Sequence, residues 1–155
     1  MRINLARVAM GGLVAGVVLT ALNAIKGGAI PAFNAEWAQA MGRLGIEMRG
    51  ASSGPGTLAF FTATSLVYGL AGVWLYAAIR PRFEDGPRTR ILAGAILWLV
   101  GYLLPMAGYA GMGLFSARLV ALSGGLSLVE MIMAVAAGSW LYRETATRSL
   151  ASGHG

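Results

Sequence analysis

Four stretches of this chain are almost wholly apolar. They are residues 8–25 (VAMGGLVAGVVLTALNAI), 57–79 (TLAFFTATSLVYGLAGVWLYAAI), 91–111 (ILAGAILWLVGYLLPMAGYAG) and 119–142 (LVALSGGLSLVEMIMAVAAGSWLY). A helix needs about 20 mostly apolar residues to cross the hydrocarbon of a bilayer, so each stretch predicts a membrane span. Turn residues or charges bound them: Lys26-Gly-Gly, Gly54-Pro-Gly, Arg80-Pro-Arg and Arg143-Glu. Pro81 is expected to end the second helix, because proline lacks the N–H that the helix needs. The fold class that follows is all-α: one polytopic membrane domain over residues 1–155, built as a four-helix bundle. The tail 145–155 is small and polar, which predicts a flexible end.

A different period appears between the first two spans. In residues 33–48 (FNAEWAQAMGRLGIEM), Phe33, Trp37, Met41, Leu44 and Met48 recur every three or four positions, with Glu36, Gln39, Arg43 and Glu47 largely opposite. That pattern predicts a short amphipathic helix with Asn34 as its N-cap. It reads as a helix lying in the membrane interface. A docking element for a partner and a lid over a pocket are the alternatives.

Within the spans, small residues recur four apart: Gly12 and Gly16, Ser65 and Gly69, Ala107 and Gly111, Ala134 and Gly138. Such pairs let helices approach closely where lipid removes the usual hydrophobic drive. The second and fourth spans also end alike, Trp74-Leu75-Tyr76 and Trp140-Leu141-Tyr142. The first and third start alike, at Arg7 to Gly11 and Arg90 to Gly94. Two tandem helical hairpins would explain both likenesses. So would the general liking of helix ends for aromatics and arginine.

Composition narrows the class. The chain is 57% hydrophobic and 12% charged, half the charge of a soluble domain. Eleven Arg and one Lys against six acids give a net charge of +6. The basic residues flank the apolar runs, so they speak for a membrane and not for nucleic acid. Arg2, Arg7, Arg80, Arg82, Arg88, Arg90, Arg143 and Arg148 fall on one side of the four spans; Lys26, Arg43, Arg49 and Arg118 fall on the other. The richer side is cytoplasmic by the positive-inside rule, so both termini are expected inside, in a bacterial inner membrane. Arg2 and Arg7 before an apolar run also resemble a signal peptide. Leu22, where a cleavage site wants a small side chain before Ala24, predicts that the first span is retained.

The same inventory excludes chemistry. With no Cys there is no disulfide and no thiolate site, and the single His is His154. No nucleophile–base pair, metal-ligand cluster or phosphate-binding glycine loop is apparent, so no enzyme, metal or cofactor is expected. Arg80, Arg82, Arg88 and Arg90 offer contacts to anionic lipid headgroups, or only set the topology.

The opening RVAMGGLVAG, the segment WLYAAIRPRF followed by GPRT, and the closing WLYRE resemble a group of small uncharacterised bacterial four-span inner-membrane proteins. The resemblance covers most of the chain and implies a fold. It carries over no activity and no site residue.

One residue inside a span asks for chemistry. Glu130 lies roughly 16 Å along its helix from Leu119, near the bilayer midplane. An ionised acid there costs at least about 2.5 kcal/mol unless compensated. Arg118 and Arg143 lie at opposite ends of the same helix, and by the boundaries above no other charge falls inside a span. A neutral acid is therefore the expectation. Ser123, Ser127, Ala134 and Gly138 share its face, so Glu130 should look into the bundle. By depth its neighbours are Gly16, Tyr68 and Gly101–Tyr102. Pro105 leaves the Gly101 carbonyl without its helical donor, and a protonated Glu130 could donate to that carbonyl or to the phenolic oxygen of Tyr68 or Tyr102, with Gly16 leaving room. Thr62, Thr64, Ser65 and Asn23 would continue a polar track. Three uses of Glu130 follow: interhelical glue, a proton- or cation-coupled site, or a pair with a cation on another subunit. The leading function is a structural or accessory subunit of a larger membrane assembly. The alternative is a small oligomeric transporter coupled through Glu130. A minor alternative is a groove for lipid, quinone or pigment beside Trp98, Tyr102 and Tyr68. The partners expected are the lipid bilayer and other membrane subunits or copies of the chain.

Overall fold

The computed structural model describes residues 3–45 and 55–142, and among these it contains helices and turns but no strand. In chain order the helices are α1 (Leu5–Ala29), α2 (Pro31–Arg43), α3 (Pro55–Phe83), α4 (Pro87–Trp98), a π-helical turn (Leu99–Leu103), α5 (Leu104–Gly111) and α6 (Ala117–Leu141). The π turn joins α4 to α5 as one continuous element. Leu5–Ala29, Leu58–Phe83, Pro87–Gly111 and Ala117–Leu141 are each long and apolar enough to cross a membrane. The chain is a multi-pass membrane protein. Arg2, Arg143, the tail 145–155 and positions 46–48 of the expected amphipathic helix lie outside the described residues.

The helices outrun the apolar stretches because caps set their ends, not charges. The Asn4 side chain accepts from the Arg7 N–H at 3.2 Å, and the Ser116 hydroxyl accepts from the Leu119 N–H at 3.1 Å. Pro31 and Pro87 stand in first turns, where the missing N–H costs nothing. Two expectations need correction here. Asn34 is not an N-cap: α2 begins at Pro31, and Asn34 instead donates its side-chain amide to the Gly27 carbonyl. Nor does Pro81 end α3, which continues to Phe83. The chain then turns at Glu84, with φ of 66°. The Thr89 hydroxyl lies 2.9 Å from the Phe83 carbonyl and 2.8 Å from that of Glu84. It serves the acceptors that the helix end leaves open.

In the bundle, α1 packs on α3 and α6, α4 packs on α6 and α3, and α3 meets α6 across the middle. The start of α1 lies beside the end of α6, so one end of the bundle carries these two helix ends and the other carries α2. Tight packing between these helices follows from small residues. A Cβ on Gly69 would fall 2.3 Å from both the Gly12 carbonyl oxygen and the Gly16 nitrogen; one on Gly138 would fall 2.3 Å from the Gly11 oxygen. Three of the four small pairs thus lie at helix contacts. Gly111 of the fourth faces open space.

The resemblance between the two halves has a structural counterpart. Tyr76 and Tyr142 are both fully buried, with ring centroids 6.2 Å apart and rings nearly perpendicular. The Tyr76 hydroxyl donates to Asp85 just before α4, at 2.6 Å. The Tyr142 hydroxyl accepts from the Asn4 N–H just before α1, at 3.3 Å. Each tyrosine therefore ties its hairpin to the start of the other. Trp74 and Trp140, two residues earlier in each case, are exposed.

Helix α2 does not lie free. Trp37 stacks on Phe115 at 5.2 Å, Glu36 pairs with Arg118 at 3.2 Å, and Ala40 is buried. The aromatic that marked its apolar face is spent on the turn before α6.

Candidate functional site

Lys26 and Glu130 form an ion pair inside the bundle, with Nζ 2.7 Å from Oε2. Both side chains are nearly buried, at 12% and 11% exposure. This corrects the expectation that Glu130 lacks a cation within its own chain. Lys26-Gly-Gly reads as a boundary, but α1 continues to Ala29 and carries Lys26 in its last turn. The signal was present in the spacing. Val8, Gly12, Ala15, Leu19, Leu22 and Lys26 follow at intervals of four and three, and the first four are buried. Lys26 is the last position of α1's inward stripe.

Backbone direction closes the remaining gap. Gly138 opposite Gly11 and Ala15 fixes the register of α1 on α6. In that register Lys26 sits nearer the α2 end than Glu130, an axial offset of roughly 8 Å at the helical rise. Side chains lean toward the N-terminus of their own helix. In this antiparallel pair Lys26 leans inward and Glu130 leans outward, and they meet.

Beside the carboxylate lies a cavity of about 280 Å³. Its walls come from α1 (Leu19, Thr20, Asn23), α3 (including Thr62, Thr64, Ser65 and Tyr68), the π turn (Tyr102) and α6 (Ser127, Glu130, Met131). The α1 and α3 residues that line it lie on the α2 side of the close approach of these helices at Gly12, Gly16 and Gly69. Gly16 therefore does not make room for Glu130, as its depth implied. It meets Leu66 and Ser65.

Of the residues singled out at the midplane, Glu130, Tyr68, Tyr102 and Ser127 share this cavity. The Gly101 carbonyl accepts from the Tyr68 hydroxyl at 2.6 Å and not from Glu130, the donor expected for it. The π turn relieves the clash that Pro105 would make one turn back: the Leu104 N–H reaches the Leu99 carbonyl, five residues earlier. Gly101 itself must lack a side chain, because a Cβ there would lie 2.7 Å from the Tyr68 ring. Trp98 does not join Tyr68 and Tyr102. Its indole N–H donates to the Gly124 carbonyl at 2.8 Å, on another side of the bundle.

The four loop arginines are not equivalent. Arg80 and Arg90 lie 3.2 and 3.6 Å from opposite oxygens of Asp85, whereas Arg82 and Arg88 are exposed.

No protein-family model, curated protein or solved structure matches the chain.

Proposed function

We propose that this chain is a small inner-membrane transporter that binds its ligand in the cavity beside Glu130, with Glu130 as the coupling residue. The observation that carries the reading is that the cavity reaches a carboxylate whose counter-ion stands on a different helix. Intramembrane ionisable residues mark substrate paths and proton relays far more often than chance. A pair split between α1 and α6 can be opened by a proton or a cation at Glu130, and opening it removes one tie between the first and last spans. The hydroxyls of Ser65, Tyr68 and Ser127 give such a ligand further donors and acceptors. With both termini in the cytoplasm, the orientation that the arginine distribution favours, the cavity would lie in the outer half of the bilayer. No covalent chemistry enters this reading.

The test uses the purified protein in liposomes. Protein-dependent collapse of an imposed pH gradient is followed as candidate ligands are added, for wild type and Glu130→Gln. The reading expects the wild-type response to vanish in the variant. A folded Glu130→Gln protein with wild-type flux contradicts it.

A second reading is an accessory or structural membrane subunit. One observation favours it: the pair is already closed within the chain, which makes it a clamp between the first and last spans. Native mass spectrometry after gentle extraction separates the two. A defined complex with other subunits supports the accessory role; free protein or a small homo-oligomer supports the transporter.

A further inference from the structure

We infer that the ligand of this cavity is a small lipophilic amine, taken from the bilayer, and that it displaces Lys26, the tethered counter-ion of Glu130. The inference rests on the reading of the cavity as a ligand site.

The polar floor sets the charge. Glu130 holds an ammonium at 2.7 Å in the structure, so the position beside Oε2 already accepts the group that an amine ligand would bring. An anionic ligand would meet the carboxylate's own charge there. A neutral ligand could not replace the charge of Lys26 at this depth, where an uncompensated carboxylate is costly.

The walls set the rest of the molecule. Leu19, Leu58, Phe61 and Met131 supply apolar surface around that floor. Leu58 and Phe61 are 67% and 62% exposed on a helix that spans the membrane, so the rim they form faces lipid and not water. Access is therefore lateral. The volume of about 280 Å³ lies at the small end of ligand pockets, which fits a ring or short chain bearing one amine.

Lys26 is suited to give way. Its ammonium rides on a flexible four-carbon stem in the last turn of α1. On release it can extend toward the α2 end and reach the membrane surface, as lysines near helix ends do. Asn23 and Thr20 lie about one and two turns before it on the same helix and line the cavity. While Lys26 holds the Glu130 carboxylate, only a fraction of the protein can bind an amine there. Removing that competitor raises apparent affinity by the inverse of the fraction.

The test is binding in nanodiscs, by calorimetry and by ligand-observed NMR. The probes are 2-phenylethylamine and its neutral counterpart 2-phenylethanol, with methylamine as the amine without an apolar body. The proteins are wild type, Lys26→Met, Glu130→Gln and the double variant. The expected result is that phenylethylamine binds wild type more tightly than either comparison compound. Lys26→Met should strengthen amine binding about tenfold, and Glu130→Gln should abolish the amine's advantage over the alcohol. If Lys26→Met does not fold, Lys26→Gln carries the same arm. Unchanged or weaker amine binding in the lysine variant overturns the role of Lys26. Alcohol and amine binding equally to wild type overturns the amine class and leaves the cavity as a ligand site. Failure of every probe on every variant overturns the ligand site as well.

Discussion

Lys26 and Glu130 stand 104 positions apart in sequence and 2.7 Å apart in space. Their pair links the end of the first span to the middle of the last, across the face where α1 and α6 pack. It compensates the one acid set deep in a span, and it leaves that acid at the wall of a cavity.

The close approach of α1 and α3 depends on missing side chains. Gly69→Ala puts a methyl 2.3 Å from backbone atoms of Gly12 and Gly16, and backbone cannot step aside as a side-chain tip can. The expected loss is about 1–3 kcal/mol, read as a lower unfolding temperature in detergent. Gly111→Ala, which meets nothing within 4 Å, should be neutral or slightly stabilising. Equal effects would refute close packing at Gly69.

Tyr68 and Pro105 should prove coupled. Tyr68→Phe removes the donor to the Gly101 carbonyl and should cost about 1–3 kcal/mol, the penalty for an unsatisfied buried acceptor. Pro105→Ala restores an N–H that can reach the same carbonyl. Tyr68→Phe is therefore expected to cost less in the Pro105→Ala background. Strictly additive losses would mean that the proline does not free that carbonyl.

Thr89 is 1% exposed and its hydroxyl serves the end of α3. Thr89→Val keeps the shape and removes the donor, for an expected cost of about 1–2 kcal/mol. Thr89→Ser keeps the donor and should lose much less. Denaturation of both variants in detergent checks the order, and reversal would assign the role to packing of the methyl.

Two of the contacts that hold α2 are unequal. Arg118 is 74% exposed where it meets Glu36, so that pair is worth at most about 1 kcal/mol. The stacked Trp37 and Phe115 contribute about 0.5–1.5 kcal/mol beyond the area they bury. Amide exchange in α2 should rise more in Trp37→Ala than in Arg118→Gln. The opposite order would make the ion pair the principal anchor.

Much of this architecture was legible from hydropathy. Four apolar stretches predict the four spans, and Ser123, Ser127, Ala134 and Gly138 predict which face of α6 turns inward. The role of Pro105 in freeing the Gly101 carbonyl also followed from backbone chemistry alone. What escaped depends on contacts between distant segments or on where helices stop. Lys26 beside two glycines looks like a terminus, yet α1 runs on past it, because a helix end is set by capping and packing and not by the first charge. The docking of α2 rests on Phe115, more than seventy residues beyond Trp37, and no local period reports that. Trp98 lies near Tyr102 in sequence, but the helix turns its indole toward Gly124.

The most direct test of the account is a double-mutant cycle on its central pair. Unfolding free energies are measured in detergent for wild type, Lys26→Met, Glu130→Gln and the double variant. Lys26→Met alone should cost roughly 3 kcal/mol, because it leaves a buried carboxylate without its partner. The uncharged double variant should recover much of that loss, giving a coupling energy well above the roughly 0.3–0.5 kcal/mol within which independent sites add. Losses that simply add would show that Lys26 and Glu130 do not meet in the folded protein, and the site built on them would fall.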